Sequence, residues 1–135
     1  MLITYPQPNG QVAIVIPCGD VNDAIKDVSA GVEYKIVESV DIDDDFFNAY
    51  EFDAETGAKL NPDKAKVIWK NKWREARKPT LEALDIDFMK AVETGDTQKQ
   101  AQIAAEKQVL RDVTDIEIPG TTAEEIKSIW PFILK

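Results

Sequence analysis

Trp69, Trp73, Ala76, Thr80, Leu84, Phe88 and Ala91 step along the chain by threes and fours, and the stripe crosses Pro79 without losing phase. Side chains at that spacing share one face of an α-helix. A proline that ended one helix and let another begin would reset the phase. The pattern therefore predicts one long helix, kinked near Pro79, rather than two with independent axes. Asn61 is a natural N-cap, and Pro62 suits the first helical position, where its missing N–H costs nothing. Gly95 can take the left-handed conformation of a C-cap, so the helix is expected from Pro62 to about Thr94.

Thr97-Gln98-Lys99-Gln100 has capping-box spacing and is expected to open a second helix reaching about Asp112. So short a connection forces the two helices antiparallel. Ile103, Val109, Leu110 and Val113 define the expected apolar face of the second helix, with Glu106 near its centre. A carboxylate there is costly unless paired, and Arg74 or Arg77 on the facing helix are the expected partners. DIEIPG then leads to Thr121-Thr122-Ala123-Glu124-Glu125 and a short helix with Ile126, Ile129 and Trp130 on one side. Pro131 stops it and leaves an apolar FILK tail, expected to pack on the hairpin or to reach into a partner's groove.

The other half reads differently. LITY and VAIVI flank the turn PQPNG as a hairpin in which Val12, Ile14 and Ile16 alternate with Ala13 and Val15, and Pro17 closes the strand. Asp20 can cap a short helix from Val21 to about Val28. VEYKIVE is a third strand, and NAYEFD pairs with KL across AETGA as a second hairpin. The expected product is a small sheet with one helix against it. Residues 1–60 hold three lysines against twelve acids, a net of −9, whereas residues 61–135 hold thirteen of each. That asymmetry predicts an acidic β-rich module over 1–60 and a helical hairpin module with an apolar tail over 61–135. The fold class is α+β: a small amino-terminal antiparallel sheet with one short helix, then an antiparallel helical hairpin and a short terminal helix.

The chain contains no histidine and one cysteine, Cys18. No intramolecular disulfide can form, and the Ser-His and Cys-His nucleophile pairs are excluded. Asp41, Asp43 and Asp45 fall at the first, third and fifth positions of a calcium loop, but Phe46 stands where that loop needs glycine and Phe52 where it needs glutamate. A solvated loop is the expected reading. Cys18 is expected as a small buried apolar residue, since its neighbour Asp20 opposes a thiolate. Gly19 belongs to no phosphate-binding pattern. No catalytic residue, metal ligand or cofactor site is expected. The start MLITYPQPNG lacks the charged lead and apolar run of a signal peptide, and no segment approaches the roughly 18 apolar residues of a membrane span. A reducing, cytoplasmic setting is expected.

Lys64, Lys66, Lys70, Lys72, Arg74, Arg77 and Lys78 line the start of the long helix against only Asp63 and Glu75, in a chain whose net charge is −9. Three readings are open: a protein-docking surface, a latch onto the chain's own acidic module, and a nucleic-acid-binding accessory protein using helix residues 64–78. Basic residues interleaved with aromatics suit a nucleic-acid groove. Trp69 and Trp73 share the phase of Leu84 and Phe88, however, which puts both indoles on the buried stripe, and the overall negative field repels polyanions. Spare apolar positions also leave homo-oligomerisation open.

Asn48-Ala49-Tyr50, the Arg74 and Arg77 pair, Gln108 with Leu110-Arg111-Asp112, and Ile129-Trp130-Pro131 occur in that order. In this the chain resembles a group of small tail-region proteins of tailed bacteriophages, among them tail and tail-fibre assembly proteins and chaperones. That group places an NAW-like aromatic strand before an R-x-x-R helix, then Q-x-L-R-D before a final proline-containing segment; here Tyr50 stands in place of the tryptophan. The resemblance implies a non-enzymatic morphogenesis protein that binds a tail or tail-fibre structural protein in the host cytoplasm during assembly, or stays in the virion. Arg74, Arg77, Arg111, Trp130 and Phe132 are the expected partner-binding residues, with Trp69, Trp73, Phe88 and Glu106 structural.

Overall fold

The amino-terminal strands set the first layer. In the computed structural model, which describes residues 1–134, β1 (Leu2–Pro6) pairs antiparallel with β2 (Val12–Val15) across the turn the prolines and Asn9-Gly10 impose. Gly10 takes φ +87, and the Asn9 carboxamide oxygen accepts from the Gln11 amide at 3.0 Å. β3 (Lys35–Val37) pairs with the other edge of β1. Flanked on both sides, β1 buries Ile3 and Thr4 completely. β4 (Tyr50–Asp53) and β5 (Gly57–Leu60) form the second hairpin as a separate two-stranded sheet. The single sheet expected from the sequence is therefore two. Gly57 shows how closely they lie: with φ +92, a Cβ there would stand 3.1 Å from Thr4 Oγ1 and 3.3 Å from Val37 Cγ1.

Side chains hold the joints between these strands. Asp20 caps α1 (Val21–Ala24) by accepting from the Asn22 amide at 2.9 Å, and a 3₁₀ turn over Ile25–Asp27 completes the short helical stretch. Asp43 caps a second 3₁₀ segment, Asp44–Ala49, by accepting from the Asp45 amide; Phe46 and Ala49 are sealed inside. The acidic run thus leads into a 3₁₀ turn that buries Phe46 and Ala49 while Asp41, Asp44 and Asp45 stay exposed. Ile16 and Cys18 depart from expectation. β2 ends at Val15, so the chain has left the sheet: Ile16 is 74% exposed and Cys18 is exposed rather than packed.

The α-helix α2 runs unbroken from Pro62 to Glu93, 32 residues with Pro79 inside. Asn61 caps it, its side chain accepting from the Asp63 and Lys64 amides. A proline inside a helix removes one backbone hydrogen bond and costs about 3 kcal/mol. Fully burying Trp73 on the same helix works against that cost. At the far end Gly95 adopts φ +70; the Asp96 amide donates to the Ala91 carbonyl at 2.9 Å and the Gly95 amide to Val92 at 3.1 Å. These two bonds are a Schellman ending. α3 (Thr97–Asp112) follows at once and continues into a 3₁₀ turn over Val113–Asp115. Its cap is Asp96, whose side chain accepts from the Lys99 amide, and not Thr97. The aspartate already faces that amide when the glycine turn closes, so the capping-box spacing one residue later is not used.

α4 (Ala123–Lys127) and a 3₁₀ turn over Phe132–Leu134 end the described chain. The fold is α+β, with the strands before the helix pair. Two units are distinguishable, Met1–Ala65 with Thr121–Ala123 and Lys66–Gly120 with Glu124–Lys135. The buried apolar residues of the first include Ile3, Val12, Phe46, Ala49 and Tyr50. Those of the second are Trp73, Ala91, Ile103, Leu110, Val113, Ile118, Ile126 and Leu134. No helix among the described residues is long and apolar enough to cross a membrane.

Candidate functional site

Contacts between α2 and α3 run in opposite directions along the two helices, and each recruits a polar group. Midway along α2, the Arg77 guanidinium donates to the carbonyls of Leu110 at 3.0 Å and Arg111 at 2.8 Å. These carbonyls lie in the last turn of α3, where backbone acceptors lack helical partners and the helix dipole favours a cation. Farther along, Lys107 pairs with Asp85, and its ammonium sits 5.7 Å from the centre of the Phe88 ring. At the tip, the Gln100 carboxamide donates to the Ala91 carbonyl at 3.2 Å.

This arrangement corrects the expected inner face of α3. Glu106 is exposed, and the charged residue on the inner face is Lys107, with a side chain 17% exposed. Gln100, Ile103, Lys107 and Leu110 form the face, a phase that leaves Val109 54% exposed. Lysine suits the position because its methylene stem lies along apolar neighbours while the head reaches a carboxylate and a ring. Neither Arg74 nor Arg77 takes the role of partner to Glu106. Arg77 binds carbonyls, and Arg74 donates to Asn71 at 2.6 Å on the exposed side of α2. On α2, Thr80 is exposed although it falls on the stripe. Trp69, Ala76, Leu84 and Phe88 are partly covered, while Trp73 and Ala91 are buried.

Trp73 has no exposed surface, and its indole N–H has no hydrogen-bond partner. Trp69 anchors the carboxyl-terminal segment. Its N–H donates to the Ile129 carbonyl at 2.8 Å and its ring meets Trp130 edge-on at 5.5 Å, while the Lys72 ammonium stands 5.9 Å from its centre. Neither indole is laid bare for stacking. Lys64, first of the basic residues, faces Glu51 at 3.7 Å, whereas Lys72, Arg74 and Lys78 are exposed. Arg111 is exposed as well. Gln108 donates to Asp112 at 2.8 Å, closing one turn of α3.

Beyond that anchor the chain presents apolar side chains outward. Trp130 is 40% exposed, Ile133 42% and Phe132 83%, while Leu134 between them and the described end is buried. The segment is pinned by Trp69 and Leu134, so its exposed groups are held in place.

Asp53 has its carboxyl held below the ordinary value of 3.8, first by the backbone N–H of Thr56 and then by that of Glu55. These are turn contacts, at 3.0 and 2.7 Å, that shape the β4–β5 connection. Among the described residues no group of three or more cysteine, aspartate or glutamate side chains is placed to hold a metal ion. Sequence reasoning passed over Ile86, Met89 and Val92, exposed on α2. The same three-and-four spacing, followed on the opposite side of the long helix, would have found them. No family model, curated protein or solved structure matches the chain.

Proposed function

We propose that this chain is a non-enzymatic phage morphogenesis protein, associated with the tail or tail fibre, that binds another structural protein of the particle during assembly in the host cytoplasm. The observation that carries the reading is the pinned, outward-facing segment Trp130–Ile133. Large apolar groups gathered at a surface mark protein contacts, and aromatic anchors fixed before binding lose less entropy when they engage. The resemblance of the ordered motifs to those of phage tail-region proteins is what suggests the class of partner. Such a protein would mask apolar surface on an unassembled partner. Arg111 and Arg74 are exposed enough to add charge at the rim, whereas Arg77 is committed to the end of α3.

The test is co-elution of the purified chain with the tail-fibre or tail structural proteins encoded beside it. The reading predicts a stable complex that a Phe132→Ala, Ile133→Ser variant weakens about tenfold or more, since truncating a central aromatic anchor commonly costs 2 kcal/mol or more. No complex with any tail component would refute it. Mass spectrometry of purified virions separates an assembly factor, which is absent from them, from a resident component. A nucleic-acid accessory role would instead give retention on DNA that falls steeply with salt.

A further inference from the structure

The side of α2 turned away from Trp73 carries a second stripe. Val67, Asn71, Arg74, Lys78, Glu82, Asp85, Met89 and Val92 follow one another by steps of four and three, and all eight are exposed. The stripe covers about 38 Å of helix at 1.5 Å per residue, and Pro79 lies off it. Its order is apolar, amide, two cations, two anions, then two apolar residues. Laid antiparallel against a second copy of itself, it matches like with like at its Val67–Val92 pair and opposite charges at two more, with Asn71 and Met89 the one unlike pair. Val67 meets Val92, Asn71 meets Met89, Arg74 meets Asp85 and Lys78 meets Glu82, and each pair is centred on Thr80 to within half a residue.

We infer that α2 pairs with α2 of a second copy in an antiparallel, twofold-symmetric helix dimer centred near Thr80. A twofold interface brings the same patch from each copy together, so it must be self-complementary. Charge decides the occupant here. A parallel arrangement would set Arg74 against Arg74 and Glu82 against Glu82, whereas the antiparallel one sets each cation against an anion. Repeating apolar positions at the two ends and charges between them follow the way helix pairs fix orientation. The stripe holds none of Trp130–Ile133 and shares only Arg74 with the tail-protein reading, so the inference goes beyond that reading and stands or falls without it.

Charge exchange between two chains tests it. Asp85 already pairs with Lys107 in its own hairpin, so Lys78 and Glu82 are the residues to change. Lys78→Glu sets glutamates against glutamates in its own dimer, and Glu82→Lys sets lysines against lysines. Sedimentation of the full wild-type chain at low salt should show a dimer at about 0.1 mM, dissociating as salt rises. Each variant alone should associate at least about tenfold more weakly. An equimolar mixture of the two should regain a dimer containing one of each, which no change within a single helix can produce. A wild-type chain that stays monomeric to about 1 mM, or a dimer indifferent to both substitutions, would overturn the inference. Register is read separately. With Cys18→Ser as background, a mixture of Val67→Cys and Val92→Cys chains should cross-link one copy of each under mild oxidation and Val92→Cys alone should not; the reverse pattern would overturn the antiparallel arrangement.

Discussion

The sheet unit and the helical unit use charge at different ranges. In the first, aspartates act on backbone two or three residues away, Asp20 on Asn22, Asp43 on Asp45, Asp53 on Glu55 and Thr56, while Glu51 takes Asn61 and Lys64 from the start of α2. In the second, charge reaches across the hairpin, with Arg77 on the carbonyls of Leu110 and Arg111 and Lys107 on Asp85. Short-range contacts define turns. Long-range ones fix which faces of two helices meet. Disturbing the first kind should loosen one loop, while disturbing the second should shift the stability of a whole unit.

The largest effect is expected where the helical unit has no substitute. Trp73→Ala removes a fully buried indole and should cost about 3–5 kcal/mol, read as an earlier urea midpoint of the helical signal. If the cost is below about 1 kcal/mol, α2 does not hold that unit together through this face. Arg77→Ala strips two carbonyls of a charged donor and should cost about 1.5–3 kcal/mol. Arg77→Lys should recover only part, because a flexible, strongly hydrated ammonium replaces a rigid planar guanidinium whose Nη1 donates both bonds.

Smaller effects sharpen the contrast. Lys107→Met keeps the stem and removes the charge, and should change stability by less than about 1.5 kcal/mol. Glu106→Ala, one position away but exposed, should stay within about 0.5 kcal/mol. A reversed order would restore the inner face first expected from the sequence.

The smallest effect belongs to the sheet unit. Asp53 has its pKa lowered in the folded chain, so the unfolded state binds the proton more readily. Its contribution is complete above the ordinary value of 3.8 and is lost as pH falls through the lower folded value. Carboxyl titration by NMR should place its midpoint below that of an unperturbed aspartate, and Asp53→Asn should remove this part of the acid sensitivity at the β4–β5 turn. A midpoint at or above the ordinary value would mean that the turn amides do not hold the carboxylate.

The same difference in range explains what could be read in advance. The cap at Asp20, the Asn61-Pro62 start, the Gly95 ending and both hairpin turns are decided by neighbours within a few residues, and the sequence shows them. Continuity through Pro79 was legible because the stripe integrates over many turns. The inner face of α3 was not. Val109 made Glu106 look central, yet the helix turned by one residue to bring Lys107 to Asp85 and Phe88, a choice made by residues some twenty positions away. The division into two sheets and the exposure of Cys18 likewise depend on where strands stop pairing. At the candidate surface, an apolar tail after Pro131 was visible, but its pinning by Trp69 was not.

Each functional reading requires α2 to turn its Trp73 side inward and its charged side out. Replacing Trp69 and Trp130 with phenylalanine leaves Trp73 as the sole indole, whose emission and quenching by iodide report its surroundings alone. A blue-shifted emission that iodide barely reaches, in a chain with an intact helical spectrum, is the predicted result. A red-shifted, freely quenched indole under the same conditions would contradict the account.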